Sequence, residues 1–414
     1  MDGSIGLAKL DCRQQRQNRK DLTMIPYGRQ DITEADIDAV VSVLRSDFLT
    51  QGPVVPRFEE KLARKVKVEH AVAVNSATSA LHIACLALEL GPGDILWTSS
   101  ITFAASANCA LYCGAKVDFV DIDPNTFNIS PIKLREKLEV AAKAGRLPKV
   151  VVAVHMCGQS CDMRAIHALG QEFGFAIIED ASHAIGGQYL GTPIGDCRFS
   201  DITVFSFHPV KIITTAEGGV ATTQDARLAE RMRLLRSHGI SREPSQLTRS
   251  SEGPWYYEQL ALGFNYRMTE IQAALGVSQL DRLDDYVAIR HRKAQAYSEL
   301  LAGLPLDTPW LHPDTYSAFH LYVVRLDIDA IGKPLGLLHE QMRAAGIAVN
   351  LHYIPVPMQP YYTGMGFDAT EWPEACRYYR CAMTLPLFPT MQEVQQIKVA
   401  ATLRTILEGG NSTQ

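Results

Sequence analysis

Lys211 closes the run Ser206-Phe207-His208-Pro209-Val210-Lys211, at the end of the apolar stretch Ile202–Phe207. A lysine placed among apolar residues beyond a buried strand is pushed toward its neutral amine, the form that Schiff-base chemistry requires. A second run, Ile177-Ile178-Glu179-Asp180-Ala181-Ser182-His183, ends another apolar strand with two consecutive acids. Side chains alternate along a strand, so Glu179 and Asp180 face opposite sides and one of them can meet a ligand near His183. A third, Asn75-Ser76-Ala77-Thr78-Ser79-Ala80-Leu81, reads as a strand end, a turn of small residues and a helix start. Such a turn lets backbone N–H groups approach a phosphate, and the helix dipole favours the anion. A fourth, Gly263-Phe264-Asn265-Tyr266-Arg267-Met268-Thr269-Glu270, is polar and aromatic and lies where the pattern of elements changes. Each run alone also has a plain structural use: a solvated lysine, acids or Ser/Thr capping the next helix, a helix entry.

Asp180 and Lys211 together say more than either alone. An acid that holds a pyridine nitrogen protonated, paired with a lysine that joins the aldehyde, is how proteins use pyridoxal phosphate. The nine cysteines are odd in number and no CxxC occurs, so neither a metal site nor a disulfide framework is expected. Reduced, mostly buried thiols point to the cytoplasm. Lysine plus arginine total 40 against 45 aspartate plus glutamate, a net charge of −5. With no basic excess, nucleic acid is not an expected partner, and a bound anion must be held by a local constellation. No stretch reaches the roughly 18–20 apolar residues of a membrane span, so no membrane partner is expected.

The elements that position these runs alternate. Ala71–Asn75, Ile95–Thr98, Lys116–Val120, Val150–His155, Phe175–Glu179 and Ile202–Phe207 read as strands, with helices at Ala77–Leu88, Phe103–Cys113 and Met163–Phe173. Helices are also expected at Ile32–Leu44, with Thr33 as cap and Asp36 three residues on, and at Phe58–Val66. Strands alternating with helices mean an α/β fold with a mostly parallel sheet. After residue 268 come a long helical stretch, Thr269–Leu301, a strand at Leu321–Leu326 and further helices, which read as an α+β unit. The expected division is a cofactor domain over 24–268 and a smaller domain over 269–408. Residues 1–23 are expected to be an extension, and 409–414 a loose tail.

The chain resembles the DegT/DnrJ/EryC1/StrS family of nucleotide-sugar aminotransferases, of aspartate-aminotransferase fold type (fold-type I), from about Ile25 to Leu407. The likeness rests on Ser76-Ala77-Thr78, Ile101-Thr102-Phe103, Glu179 to His183, Ser206 to Lys211, Glu217-Gly218-Gly219 and Asn265-Tyr266-Arg267-Met268, in that order. Two positions depart from the pattern: Ala77 and Ala216 stand where many members have glycine.

The resemblance implies pyridoxal 5'-phosphate as cofactor, joined to Lys211, which also carries protons as the catalytic residue. It implies Asp180 at the pyridine nitrogen, His183 and Phe103 flanking the ring, and Ala77, Thr78 and Ser206 at the phosphate. Asn265 would reach the cofactor phosphate of a second copy, so a homodimer with shared sites is expected. Tyr266, Arg267, His320, His352 and Tyr353 are the candidates for substrate binding. The expected reaction takes an amino group from L-glutamate to C4 of a UDP-linked 4-keto-6-deoxy-N-acetylhexosamine. Within the family, the runs Ser46–Pro53, Ile101–Pro124 and Ser200–Thr215 are similar to members serving pseudaminic acid biosynthesis. Another nucleotide-linked keto sugar stays open; a non-catalytic protein on this fold is disfavoured by the intact Asp180, His183 and Lys211.

Overall fold

The structure, a computed structural model, describes residues 24–409; the extension expected over 1–23 and positions 410–414 of the expected tail lie outside the described residues. Seven strands form the central sheet: β1 His70–Val74, β2 Ile95–Ser99, β3 Lys116–Val120, β4 Val150–Val154, β5 Ala176–Asp180, β6 Ile202–Ser206 and β7 Gly219–Thr223. Their order is β1-β7-β6-β5-β4-β2-β3, with β7 antiparallel to both neighbours and the other pairings parallel. Strand β4 shows why a buried parallel strand is apolar throughout. Val150, Val152 and Val154 pack with helices Ala77–Ala87, Ala105–Tyr112 and Ala226–Leu235, while Val151 and Ala153 pack with helices Pro131–Lys143 and Met163–Phe173. Both faces are covered, so neither tolerates polar alternation.

Helix Pro131–Lys143 is absent from the elements expected above, although its signals are ordinary ones. Ser130 caps it by accepting the Lys133 N–H, Pro131 occupies the first turn, and Leu134, Leu138 and Ala141 form its buried stripe. The helix expected at Phe58–Val66 starts earlier, at Val54. Pro53, in the capping position, offers no side-chain acceptor. The buried carboxylate of Glu270 supplies one instead, accepting the N–H groups of Val54 at 2.6 Å and Val55 at 3.1 Å.

The stretch Thr269–Leu301 forms two helices, Glu270–Leu280 and Leu283–Leu300. At the break Arg282 turns to Asp36, whose carboxylate accepts from the guanidinium at 2.6 Å, from Gln279 at 2.9 Å and from the Thr33 N–H at 2.9 Å. The expected cap of helix Glu34–Leu44 is thereby also a tie between distant segments. Helix Glu270–Leu280 lies close to helix Val54–Val66: a Cβ on Gly276 would stand 2.6 Å from the Phe58 ring.

Helix Leu283–Leu300 begins on the core that holds Phe58 and Phe205 and ends in another, where Ala294 and Tyr297 pack with Tyr322, Val324, Met383 and Leu403. The latter core belongs to an antiparallel sheet of Leu306–Asp307, Tyr322–Leu326 and Ala382–Leu385, backed by helices Leu335–Ala344 and Glu393–Glu408. No helix among the described residues is long and apolar enough to cross a membrane.

Glu270 joins two helices: Glu270–Leu280, which Thr269 caps, and Val54–Val66, whose Pro53 offers no side-chain cap. Replacing it with alanine leaves buried N–H groups unpaired, and Glu270→Ala is expected to cost about 2–3 kcal/mol in urea unfolding, with Glu270→Gln recovering part of the loss. An unchanged urea midpoint would contradict the capping role.

Candidate active site

The C-terminal ends of β1, β2, β4, β5 and β6 open into one cleft of about 890 Å³, the edge where open α/β sheets bind ligands. At β1, Ser76 caps helix Ala77–Ala87 by accepting the Ser79 N–H at 3.1 Å. The first N–H groups of a helix have no partner within it, and Ala77 and Thr78 line the cleft there beside Ser206 from the end of β6. The backbone of β7 lies directly behind this turn: a Cβ on Gly219 would stand 2.5 Å from the Ala77 nitrogen. The result is an anion cradle built from backbone and hydroxyl groups.

Asp180 ends β5 and lines the cleft. Its Oδ2 accepts from the Ser106 hydroxyl at 2.6 Å and its Oδ1 from the Ser182 N–H at 3.1 Å. Glu179 faces the other way, as strand alternation requires, and lies 2.7 Å from His155 Nε2 while accepting from Ser200 at 2.5 Å. Burial works against the Glu179 charge, yet His155 and Ser200 hold its carboxyl below the usual range.

Lys211 is half-buried and lines the cleft. Desolvation pulls its amine down to about 8, against the opposing pull of Asp180, which favours the cation. Three imidazoles share the cleft. His183 and His320 pack with ring centroids 4.5 Å apart and planes tilted by 45°, and burial drives both well below the ordinary histidine range, helped by the charge of Lys211. His352 is pushed down to about 4 by burial and Lys211, and its Nδ1 lies 2.9 Å from the Thr384 hydroxyl. The buried Nδ1 atoms of His183 and His320 have no partner among the described residues. The Tyr353 hydroxyl lies 3.1 Å from His183 Nε2, and Phe103, 60% exposed, sets its ring 6.0 Å from that of Tyr353 at the mouth.

The cleft therefore collects Ala77, Thr78, Phe103, Asp180, His183, Ser206, Lys211, His320, His352 and Tyr353. Three expected residues do not line it. Tyr266 stacks on Phe264 and meets His82 Nδ1 through its hydroxyl at 3.1 Å. Arg267 sits beside Val74 in a single bridge, and Asn265 is exposed on the outer surface. Tyr27, Glu217, Gln272, Asn350 and Leu351 line the cleft as well. Glu217 stood in a quoted motif; Gln272 comes from the first turn of helix Glu270–Leu280, and Tyr27, Asn350 and Leu351 from segments distant in sequence. Next to Glu217, Ala216 has φ +67°, a left-handed conformation that favours glycine. Thr214 accepts its N–H at 2.9 Å, and Thr215 and Gln272 each donate to the Glu217 carbonyl at 2.8 Å.

An anion cradle, an acid, a partly neutral lysine and two unpartnered imidazole nitrogens fit pyridoxal phosphate: phosphate at Ala77, Thr78 and Ser206, ring nitrogen at Asp180, aldehyde at Lys211.

Residues 30–404 match the pattern of the DegT/DnrJ/EryC1/StrS aminotransferase family. The chain is 40% identical over 394 residues to the spore coat polysaccharide biosynthesis protein SpsC of Bacillus subtilis (strain 168), covering 94% of this chain and 98% of that one. Helicobacter pylori PseC, an aminotransferase involved in the biosynthesis of pseudoaminic acid, is similar with a TM-score of 0.85 and 29% identity, over 94% of this chain and 100% of that one. Spr1654 from Streptococcus pneumoniae in its PLP-form gives a TM-score of 0.83 and 30% identity, over 93% and 99%. The chain belongs to the DegT/DnrJ/EryC1/StrS aminotransferase family, pyridoxal phosphate-dependent sugar aminotransferases of fold-type I.

Proposed function

We propose that this enzyme transfers the amino group of L-glutamate to C4 of UDP-2-acetamido-2,6-dideoxy-β-L-arabino-hexos-4-ulose. The product would be UDP-4-amino-4,6-dideoxy-N-acetyl-β-L-altrosamine, in pseudaminic acid biosynthesis. Lys211 facing Asp180 across the cleft carries the amino-transfer reading. The likeness to PseC supports the sugar. The likeness to SpsC, named for spore coat polysaccharide biosynthesis, supports a second reading with the same chemistry on another nucleotide-linked 4-keto-6-deoxy sugar.

Pyridoxal phosphate, when bound, supplies an aldehyde that takes the amino group and a ring that accepts the electron pair released at the substrate carbon. The chain's residues do the rest. Lys211 Nζ is the nucleophile of the cleft and, with its amine brought to about 8, can both give and take a proton near neutrality. Asp180 offers its charge to a protonated ring nitrogen. The N–H groups at Ala77 and Thr78 hold the phosphate without an arginine. His183, His320 and His352, kept neutral by burial, can accept or donate hydrogen bonds without adding positive charge beside Lys211.

Asn265 is exposed and does not line its own cleft, and Phe48, Leu49, Trp255, Tyr257 and Leu262 are exposed apolar residues. Both features support a homodimer in which Asn265 serves the partner's cofactor phosphate.

Purified wild-type protein should turn yellow with pyridoxal phosphate and keep the cofactor after borohydride reduction, whereas Lys211→Ala should keep none; a colourless wild type would end the proposal. Below its folded-state value Lys211 is protonated and inert, so cofactor uptake by the cofactor-free enzyme should rise about tenfold per pH unit up to about pH 8 and then level off, read by stopped-flow absorbance. A rate flat from about pH 6 to 9 contradicts this. Incubation with the UDP-4-keto sugar and L-glutamate, with mass and NMR analysis, should give an axial C4 amine; an equatorial amine or no turnover overturns the substrate assignment. Mixing unfolded Lys211→Ala and Asn265→Ala proteins and refolding them together should restore about a quarter of wild-type activity, because half the dimers then hold one intact site. No restoration would remove Asn265 from the partner's site.

A further inference from the structure

A line of hydroxyls behind Asp180 has no role in the chemistry described so far. Thr102 Oγ1 lies 2.8 Å from Ser106 Oγ, and Ser106 Oγ lies 2.6 Å from Asp180 Oδ2. All three side chains are buried, with Ser106 fully inaccessible. The direction of the line follows from proton counting. An ionised carboxylate only accepts, so the single Ser106 proton goes to Asp180; Ser106 must then accept from Thr102, which donates its own. The spacing comes from the fold: Thr102 and Ser106 are four residues apart at the start of helix Ala105–Tyr112, which follows β2, while Asp180 ends β5 on the far side of β4. The Ser182 N–H holds the other oxygen of the same carboxylate. One donor on each oxygen fixes the carboxylate plane and leaves lone pairs aimed into the cleft.

We infer that Ser106, oriented by Thr102, is a positioning residue that sets the plane and steadies the charge of the Asp180 carboxylate where it meets the cofactor's ring nitrogen. The inference rests on the amino-transfer reading above. Ser106 does not line the cleft, whereas Thr102 borders it; Ser106 acts through Asp180. Hydrogen bonds from hydroxyls favour the charged form of a buried carboxylate and are strengthened when they form a chain. Losing the Ser106 hydroxyl frees the carboxylate to rotate and leaves one oxygen short of a donor, which weakens its hold on a protonated ring.

The test uses Ser106→Ala, Thr102→Val and Asp180→Asn holoenzymes and the Ser106→Ala/Asp180→Asn double variant, with pyridoxal phosphate and L-glutamate as probes. In single-turnover reaction with L-glutamate, Ser106→Ala is expected to slow the rate constant about tenfold, with the donor concentration at half-saturation changed less than about twofold. The cofactor's visible band should shift and its loss on dialysis should quicken. Thr102→Val, which keeps the side-chain shape, should move the rate and the band in the same direction by less. In the Asp180→Asn background Ser106→Ala should add nothing to the rate or spectral change, while any purely structural cost in thermal midpoint would persist. An unchanged band and rate in Ser106→Ala, or rate losses that simply add in the double variant, would overturn the inference. A wild type that takes up no cofactor would instead overturn the underlying reading, so the two failures are distinguishable.

Discussion

The site depends on the contest between the desolvation of Lys211 and the charge of Asp180. Burial alone would strip the lysine of its proton, and the carboxylate alone would fix the proton in place; together they bring the amine to about 8. The balance is preserved because nothing else in the cleft adds lasting positive charge. Lys211 is the single lysine or arginine among the described residues that line it, and His183, His320 and His352 are held neutral by burial. An arginine at the phosphate end would ease anion binding, but its field would push the lysine further down. The helix start at Ala77 and Thr78 provides the attraction through partial charges that fade within a turn. The acidic balance of the whole chain is therefore compatible with a phosphate ligand.

This balance rests on a fold whose distant parts are tied by single buried acids. Glu270 supplies the N-terminal cap of helix Val54–Val66, and Asp36 gathers Arg282, Gln279 and Thr33. Both ties join the segments before β1 to those after β7, so the sheet's long in-sequence excursion is closed by side chains as well as by β1–β7 pairing.

Much of this was legible in the residues. Apolar runs ending in Asp180, Ser206 and Asn75 announced parallel strands with chemistry at their C-terminal ends, because local pattern and burial agree there. The opposite facing of Glu179 and Asp180 followed from strand geometry alone. What escaped reading depends on contacts far apart in sequence. Tyr27, Gln272 and Asn350 reach the cleft only through packing of other segments, and Ser106 matters only once β2 and β5 lie near each other. Helix Pro131–Lys143 differs, since its cap and stripe were present to be read. Tyr266 shows the limit of reading a motif: it belongs to one, yet its ring packs against Phe264 and His82 and does not line this chain's cleft.

Ala216 gives the loop beside the cleft a history. A left-handed alanine costs roughly 1–2 kcal/mol relative to its relaxed form, and here the conformation persists because Thr214, Thr215 and Gln272 hold the backbone on both sides. The position is consequently a narrow gate in sequence space. Glycine passes with relief of strain, alanine passes while those three hydrogen bonds remain, and a β-branched residue does not pass. Losing Thr214, Thr215 or Gln272 would close the gate to alanine, and glycine at 216 would reopen it.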